Sequence, residues 1–149
     1  MSNKEFKQKV NEICKLIKNF DHAIHIGVDR LKYSYQCEAA FDKNLRSDYH
    51  RLSTFIFDIS LAESYGLDDM SKTLSKIINS CKNDIKLFAE LILVLNHKAW
   101  QHEYIGTYNY SMLYSQLYYV VKELYFEWYE GKGKTKYDEA IDYYMKYID

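Results

Sequence analysis

The sequence predicts an all-α fold, a single-domain bundle of about six helices spanning residues 1–149. Three observations carry that prediction. Apolar residues recur at helical spacing in almost every segment. The chain has no proline, the residue that most often breaks helices. Third, residues 85–104, IKLFAELILVLNHKAWQHEY, are apolar on most of a helical circumference, as expected of a helix in the middle of a bundle. At the helical rise this central helix would be roughly 30 Å long, about one small-domain diameter.

The elements follow in order. Ser2 and Glu5 have the spacing of a capping box. Phe6, Val10, Ile13, Ile17 and Phe20 then step by four, three, four and three. The result is an amphipathic helix with Lys7, Lys9, Lys15 and Lys18 off the stripe, a face read as solvated. Residues 22–44 admit two readings. Ile24, Ile26 and Val28 alternate, and so do Leu31, Tyr33, Tyr35 and Cys37, which suits a β-hairpin over 23–37. Ile24, Val28, Leu31, Tyr35 and Ala39 also form a helical stripe. Asp29-Arg30 is a poor hairpin turn, which favours the helix.

A helix is expected from Asp48 to Tyr65, with Tyr49, Leu52, Phe55, Ile56 and Ile59 inward and Gly66 as its stop. Asp68 and Asp69 open the next helix, whose inner face is Leu74, Ile77, Ile78 and Cys81. Asn83-Asp84 caps the central helix. After Gly106–Asn109, a helix over about 110–130 carries Leu113, Leu117, Val121, Leu124 and Trp128 inward, with Tyr114, Tyr118 and Tyr125 beside them. Gly131-Lys132-Gly133-Lys134 is a loop, and Thr135 with Asp138 starts a last helix through Ile148.

Charge separates few function classes. The net charge is −1, with nine Lys/Arg against seven Asp/Glu in residues 1–50, six against six in 51–100 and five against eight in 101–149. Nothing in that balance marks a nucleic-acid binder or a DNA mimic. The three cysteines, Cys14, Cys37 and Cys81, are widely spaced, so a reducing, cytosolic setting is expected. MSNKEFKQKV has no apolar core of a signal peptide, and no apolar run is long enough to span a membrane.

Catalytic and metal signatures are weak. His97 and His102 lie five apart on the central helix, so they point in different directions. They read as core-edge residues bonded to neighbouring side chains. His22 and His25 would converge at i, i+3 on a helix. Cys14 or Cys81 would have to join them, and nothing in the sequence places them together. These four histidines are weak metal candidates, no stable site is expected, and no cofactor is called for. The carboxylates read as single surface residues. No nucleophile motif or phosphate loop in its proper context occurs.

What stands out is tyrosine, 16 residues of it, and the placement of some aromatics on polar faces. On the helix over 110–130, Tyr119 and Phe126 share a line with Glu123 beside them. On the last helix Tyr143 and Tyr147 pair at i, i+4, with Lys146 alongside. Apolar rings rimmed by charge are what the centre of a protein interface looks like. Tyr119, Glu123, Phe126, Tyr143 and Tyr147 are therefore the candidate partner-binding residues, either for another protein or for a second copy.

Three segments in order also carry a resemblance. They are DISLAESYGLDDM at 58–70, LILVLNHKAWQH at 91–102 and LYSQLYY at 113–119, with the terminal Asp149. Together they resemble a set of small proteins encoded by phages and prophages of low-GC Gram-positive bacteria. In that set a D-F-S-I-A-x-x-F-G-I-D-A segment precedes an L-V-x-V-L-N-x-K-x-W-x-H-Y helix and an L-Y-x-x-L-Y-Y helix. The likeness covers about residues 55–149, leaves 1–50 unmatched, and diverges from Val120 onward. It brings no activity and no catalytic residue. It implies an accessory protein in the host cytoplasm that binds a host protein, with an inhibitor of a CRISPR effector or another defence protein as the sharpest version. The alternatives are a metal-binding protein or small enzyme built on His97, His102 and carboxylates, and a nucleic-acid-binding regulator using the lysine face of the first helix.

Overall fold

A computed structural model of the chain describes residues 1–20 and 49–129, with side chains from residue 55 onward in the second stretch. The first helix, α1 (Asn3–Lys18), starts where its capping box sits. Glu5 N–H donates to Ser2 Oγ at 3.1 Å, and the Ser2 hydroxyl reaches the Glu5 carboxylate at 3.2 Å. Phe6, Val10, Ile13 and Ile17 are buried, as their spacing predicts. The helix ends at Lys18, two residues short of Phe20.

Helix α2 (Tyr49–Tyr65) and helix α3 (Leu67–Cys81) are separated by Gly66 alone. Gly66 takes φ 126°, a conformation an L side chain rarely adopts, so the chain turns there without a loop. Asp68 and Asp69 lie in the first turn of α3, where they complement its positive dipole end, but neither caps it. Gly66 holds the cap position and has no side chain to offer.

Helix α4 (Ile85–Ile105) is capped by Asp84, whose carboxylate accepts from Leu87 N–H at 3.1 Å. Every residue from Phe88 to Leu95 is buried, so the helix has no solvent face over two turns. Gly106, at φ 85°, closes its far end in the left-handed conformation. Helix α5 (Tyr108–Trp128) begins two residues later, earlier than the sequence suggests.

Ring contacts fix the directions. Phe88 at the start of α4 meets Tyr125 near the end of α5, with centroids 5.5 Å apart. His102 near the end of α4 stacks on Tyr110 and Tyr114 near the start of α5. The two helices are therefore an antiparallel hairpin, as a two-residue connection requires. Helix α1 runs antiparallel to α3: Ser71 Oγ donates to the Cys14 carbonyl, and Lys82 lies over the Phe6 ring. Helix α2 packs on α3 and α4, and α1 closes against α5. Trp128 Nε1 and the Tyr129 hydroxyl both donate to the Lys82 carbonyl, at 2.7 and 2.9 Å, and tie the end of α5 to the end of α3.

The described residues are thus helical throughout, with α4 central, in agreement with the predicted class. The hairpin-or-helix segment 22–44 and the last helix over 135–148 lie outside them, as do His22, His25, Tyr143 and Tyr147. No helix among the described residues is long and apolar enough to cross a membrane.

Candidate functional site

The protein carries two notable arrangements of side chains, one inside the bundle and one on its outside. The inner one corrects the expectation that carboxylates lie singly on the surface. Glu63 of α2 is buried, and its Oε1 accepts from the Tyr114 hydroxyl at 2.6 Å and from His102 Nε2 at 3.0 Å. His102 Nδ1 lies 2.6 Å from Thr107 Oγ1. Lys98, also buried, donates to Ser60 Oγ at 2.8 Å and to Gln101 Oε1 at 3.3 Å, and its ammonium sits over the Tyr114 ring.

Charge states follow from this packing. Burial opposes ionisation of Glu63, but the Lys98 charge and the bonds from His102 and Tyr114 outweigh it and hold the carboxyl below its usual range. For His102 burial prevails over the Glu63 bond, and its pKa is lowered. The contact is therefore a hydrogen bond from a neutral ring to a carboxylate, rather than an ion pair. A neutral ring that donates from Nε2 has a bare Nδ1, which accepts from the Thr107 hydroxyl at 2.6 Å, the shorter of that hydroxyl's two contacts; the His102 carbonyl lies 3.2 Å away. Turned toward His102 in this way, the Thr107 side chain points away from the first-turn N–H groups of α5 and makes no cap there. Burial, with Glu63 nearby, also pushes the Tyr114 phenol well above its usual value.

His97 is buried as well, and burial reinforced by the Lys98 charge lowers its pKa to about 3. Both histidines are thus deeper than the core edge that the sequence suggests. Both ring nitrogens of His102 are engaged by protein groups, so it has none to offer a metal. No group of three His, Cys, Asp or Glu among the described residues has the arrangement to hold a metal ion.

The outer arrangement lies on α5. Tyr119 is 62% exposed and Phe126 44%. Both rings are braced from below: Tyr119 stands edge-on to Tyr118, and Phe126 edge-on to Tyr125, each pair 5.2 Å apart. Lys122 Nζ lies 5.9 Å from the centre of the Phe126 ring. Two residues that the sequence does not single out extend the line, Tyr108 at 63% and Met112 at 56% exposure. At 100° per residue Tyr108, Met112, Tyr119 and Phe126 fall within about 40° of one another, over roughly 27 Å of helix. A shallow depression lined by Glu103, Ser111 and Gln116 runs beside Tyr108, Met112 and Tyr119. Glu123 is exposed at the edge of this line.

A second apolar strip was equally unforeseen. Phe57, Leu61 and Tyr65 succeed one another at i, i+4, i+8 on the outer face of α2, all exposed. Their i, i+4, i+8 spacing is visible in the sequence, but the same helix also carries the inward set Phe55, Ile56 and Ile59, and periodicity alone does not say which apolar stripe stays exposed. Glu63 also had a signal, since it follows Ile56 and Ile59 on the buried stripe at i+7 and i+4. A carboxylate on an apolar stripe needs buried partners.

The chain matches no protein-family model, no curated protein and no solved structure.

Proposed function

We propose that this protein is a non-catalytic binding protein that docks on another protein through the outer face of α5. One observation carries the reading: four large apolar side chains, Tyr108, Met112, Tyr119 and Phe126, are exposed in a single line on a helix whose other face is core. Isolated exposed apolar residues are ordinary, but an aligned strip is the usual mark of a protein contact. Tyrosine suits such a face because it offers area with few rotatable bonds and keeps a polar tip for water or a partner. The bracing rings Tyr118 and Tyr125 hold Tyr119 and Phe126 in place before binding, which lowers the entropy lost on docking.

The resemblance to phage and prophage proteins supplies the setting. In it the partner is a host protein met in the host cytoplasm, and an antagonist of a CRISPR effector or another defence protein is the most specific form of the proposal. The inner cluster supports a structural role for the buried polar groups. Glu63, His102, Tyr114 and Lys98 are turned toward one another in the core, which docks α2 and α5 on α4.

The experiment compares the wild type with a Tyr119→Ala, Phe126→Ala double variant. Each is used as bait in lysate of a low-GC Gram-positive host, and each is expressed during challenge of that host with a targeted phage or plasmid. A partner held by the wild type and lost by the variant, together with loss of protection, supports the reading. Equal capture and equal protection by the two proteins refutes it.

A further inference from the structure

The outer face of α5 has a neighbour that the line of rings does not include. Where α1 and α5 part, they leave a cleft of about 210 Å³, room for one large side chain. Its floor is apolar: Ile13 and Leu16 from α1, Val120 and Leu124 from α5. Its rim is charged and mostly acidic. On the α1 side Lys9 Nζ lies 3.7 Å from Glu12 Oε2, so those two charges answer each other. On the α5 side stand Glu123 and Glu127, four residues apart and on the same edge. Neither has an ion-pair partner among the described residues. Like charges at this spacing repel, and a cation placed between them would relieve the repulsion. An apolar slot with two carboxylates along one lip is complementary to an apolar side chain flanked by a basic one.

We propose that this cleft receives a basic amphipathic segment of a partner protein. One large apolar side chain enters between α1 and α5, and a neighbouring lysine or arginine bridges Glu123 and Glu127. This rests on the reading of the protein as a protein binder and names the chemistry of what it binds. Glu123 joins the two features, because along α5 it stands between Tyr119 and Phe126 and also forms the lip of the cleft. A helix lying across that lip would touch the rings with one flank and the slot with the other.

The probe is a synthetic amphipathic peptide of about four helical turns made of leucine and lysine with one tryptophan. Its control carries glutamate in place of every lysine. Binding is followed by tryptophan emission and by amide shifts of the labelled protein. The lysine peptide should saturate, shift the amides around Ile13, Leu16, Val120 and Leu124, and weaken as salt is raised. A Glu123→Lys, Glu127→Lys double variant should keep its melting temperature and lose at least tenfold in affinity, while Lys9→Ala should lose none. Equal binding of the glutamate peptide, shifts confined to another face, or no saturable binding would each overturn the proposal. So would a wild-type dimer dispersed by the double variant, since the cleft would then belong to a second copy. These readouts use no host partner, so they fail or succeed separately from the test of the ring face.

Discussion

Replacing His97 by glutamine should flatten the acid side of the stability curve. The folded ring has a pKa of about 3, against an ordinary value of 6.5, because burial and the adjacent Lys98 charge disfavour the imidazolium. Below pH 6.5 the unfolded chain takes up a proton at His97 that the folded chain refuses. Stability is therefore complete above about pH 6.5 and drains away as pH falls, by about 1.4 kcal/mol per unit, down to the folded value. Over the whole window this single group accounts for about 5 kcal/mol, and by pH 5 for about 2 kcal/mol. That is a large part of the stability of an ordinary domain. His102, also lowered, acts with the same sign. Glu63 acts later: its contribution is complete above the ordinary carboxylate range and is lost as pH falls through its lowered folded value. Urea unfolding at intervals from pH 7.5 to 4.5, followed by circular dichroism, gives the slope for each protein. The glutamine variant should lose about one proton's worth of it, whatever its absolute stability. Parallel curves for wild type and variant, or an NMR titration of the His97 ring near pH 6.5, would show that the reasoning is wrong.

Three further outcomes are expected. Tyr114→Phe removes a donor from a buried carboxylate and should cost about 2 kcal/mol in urea unfolding, with little change in far-ultraviolet dichroism. Tyr119→Ala and Phe126→Ala should each move the melting temperature by no more than about 2 °C. The control Leu117→Ala, in the core, should cost about 2–5 kcal/mol. Gly106→Ala forces an alanine into φ 85° and should cost about 1 kcal/mol, although a Cβ there would meet no neighbour.

What could be read from the sequence was mainly local. The Ser2–Glu5 box, the Asp84 cap and the stripes of α1 and α3 depend on residues within one or two turns of each other, and spacing reports such relations directly. The burial of Phe88 to Leu95 was legible too, because no polar residue interrupts it except Glu90. The early start of α5 was not, since it depends on Gly106 turning the chain within one residue. The inner cluster was harder still. His102 meets Glu63 across 39 positions and Tyr114 meets Glu63 across 51, and no periodicity relates residues on different helices. Spacing alone gave the directions of His97 and His102 but not what stood there to meet them. On the outside, Tyr119 and Phe126 could be placed because a single helix sets their relation. Tyr108 falls in the connection expected over 106–109, and a lone Met112 on a helix carries no signal of exposure, so the sequence shows only the Tyr119–Phe126 part of the line.

The complete enclosure of α4 has a consequence for how this protein can diverge. A substitution anywhere from Phe88 to Leu95 is felt by neighbours on several helices at once, so that stretch can change only by small, compensated steps. The outer side of α5 is tied to the same core through Leu113, Leu117 and Val121, yet the ring contacts that brace its exposed Tyr119 and Phe126 are with residues of α5 itself. New side chains can be tried there without refitting the interior. If the proposed partner exists and alters its surface, the protein has a place to follow it that leaves folding untouched, and variation among descendants of this chain should concentrate along that one ridge.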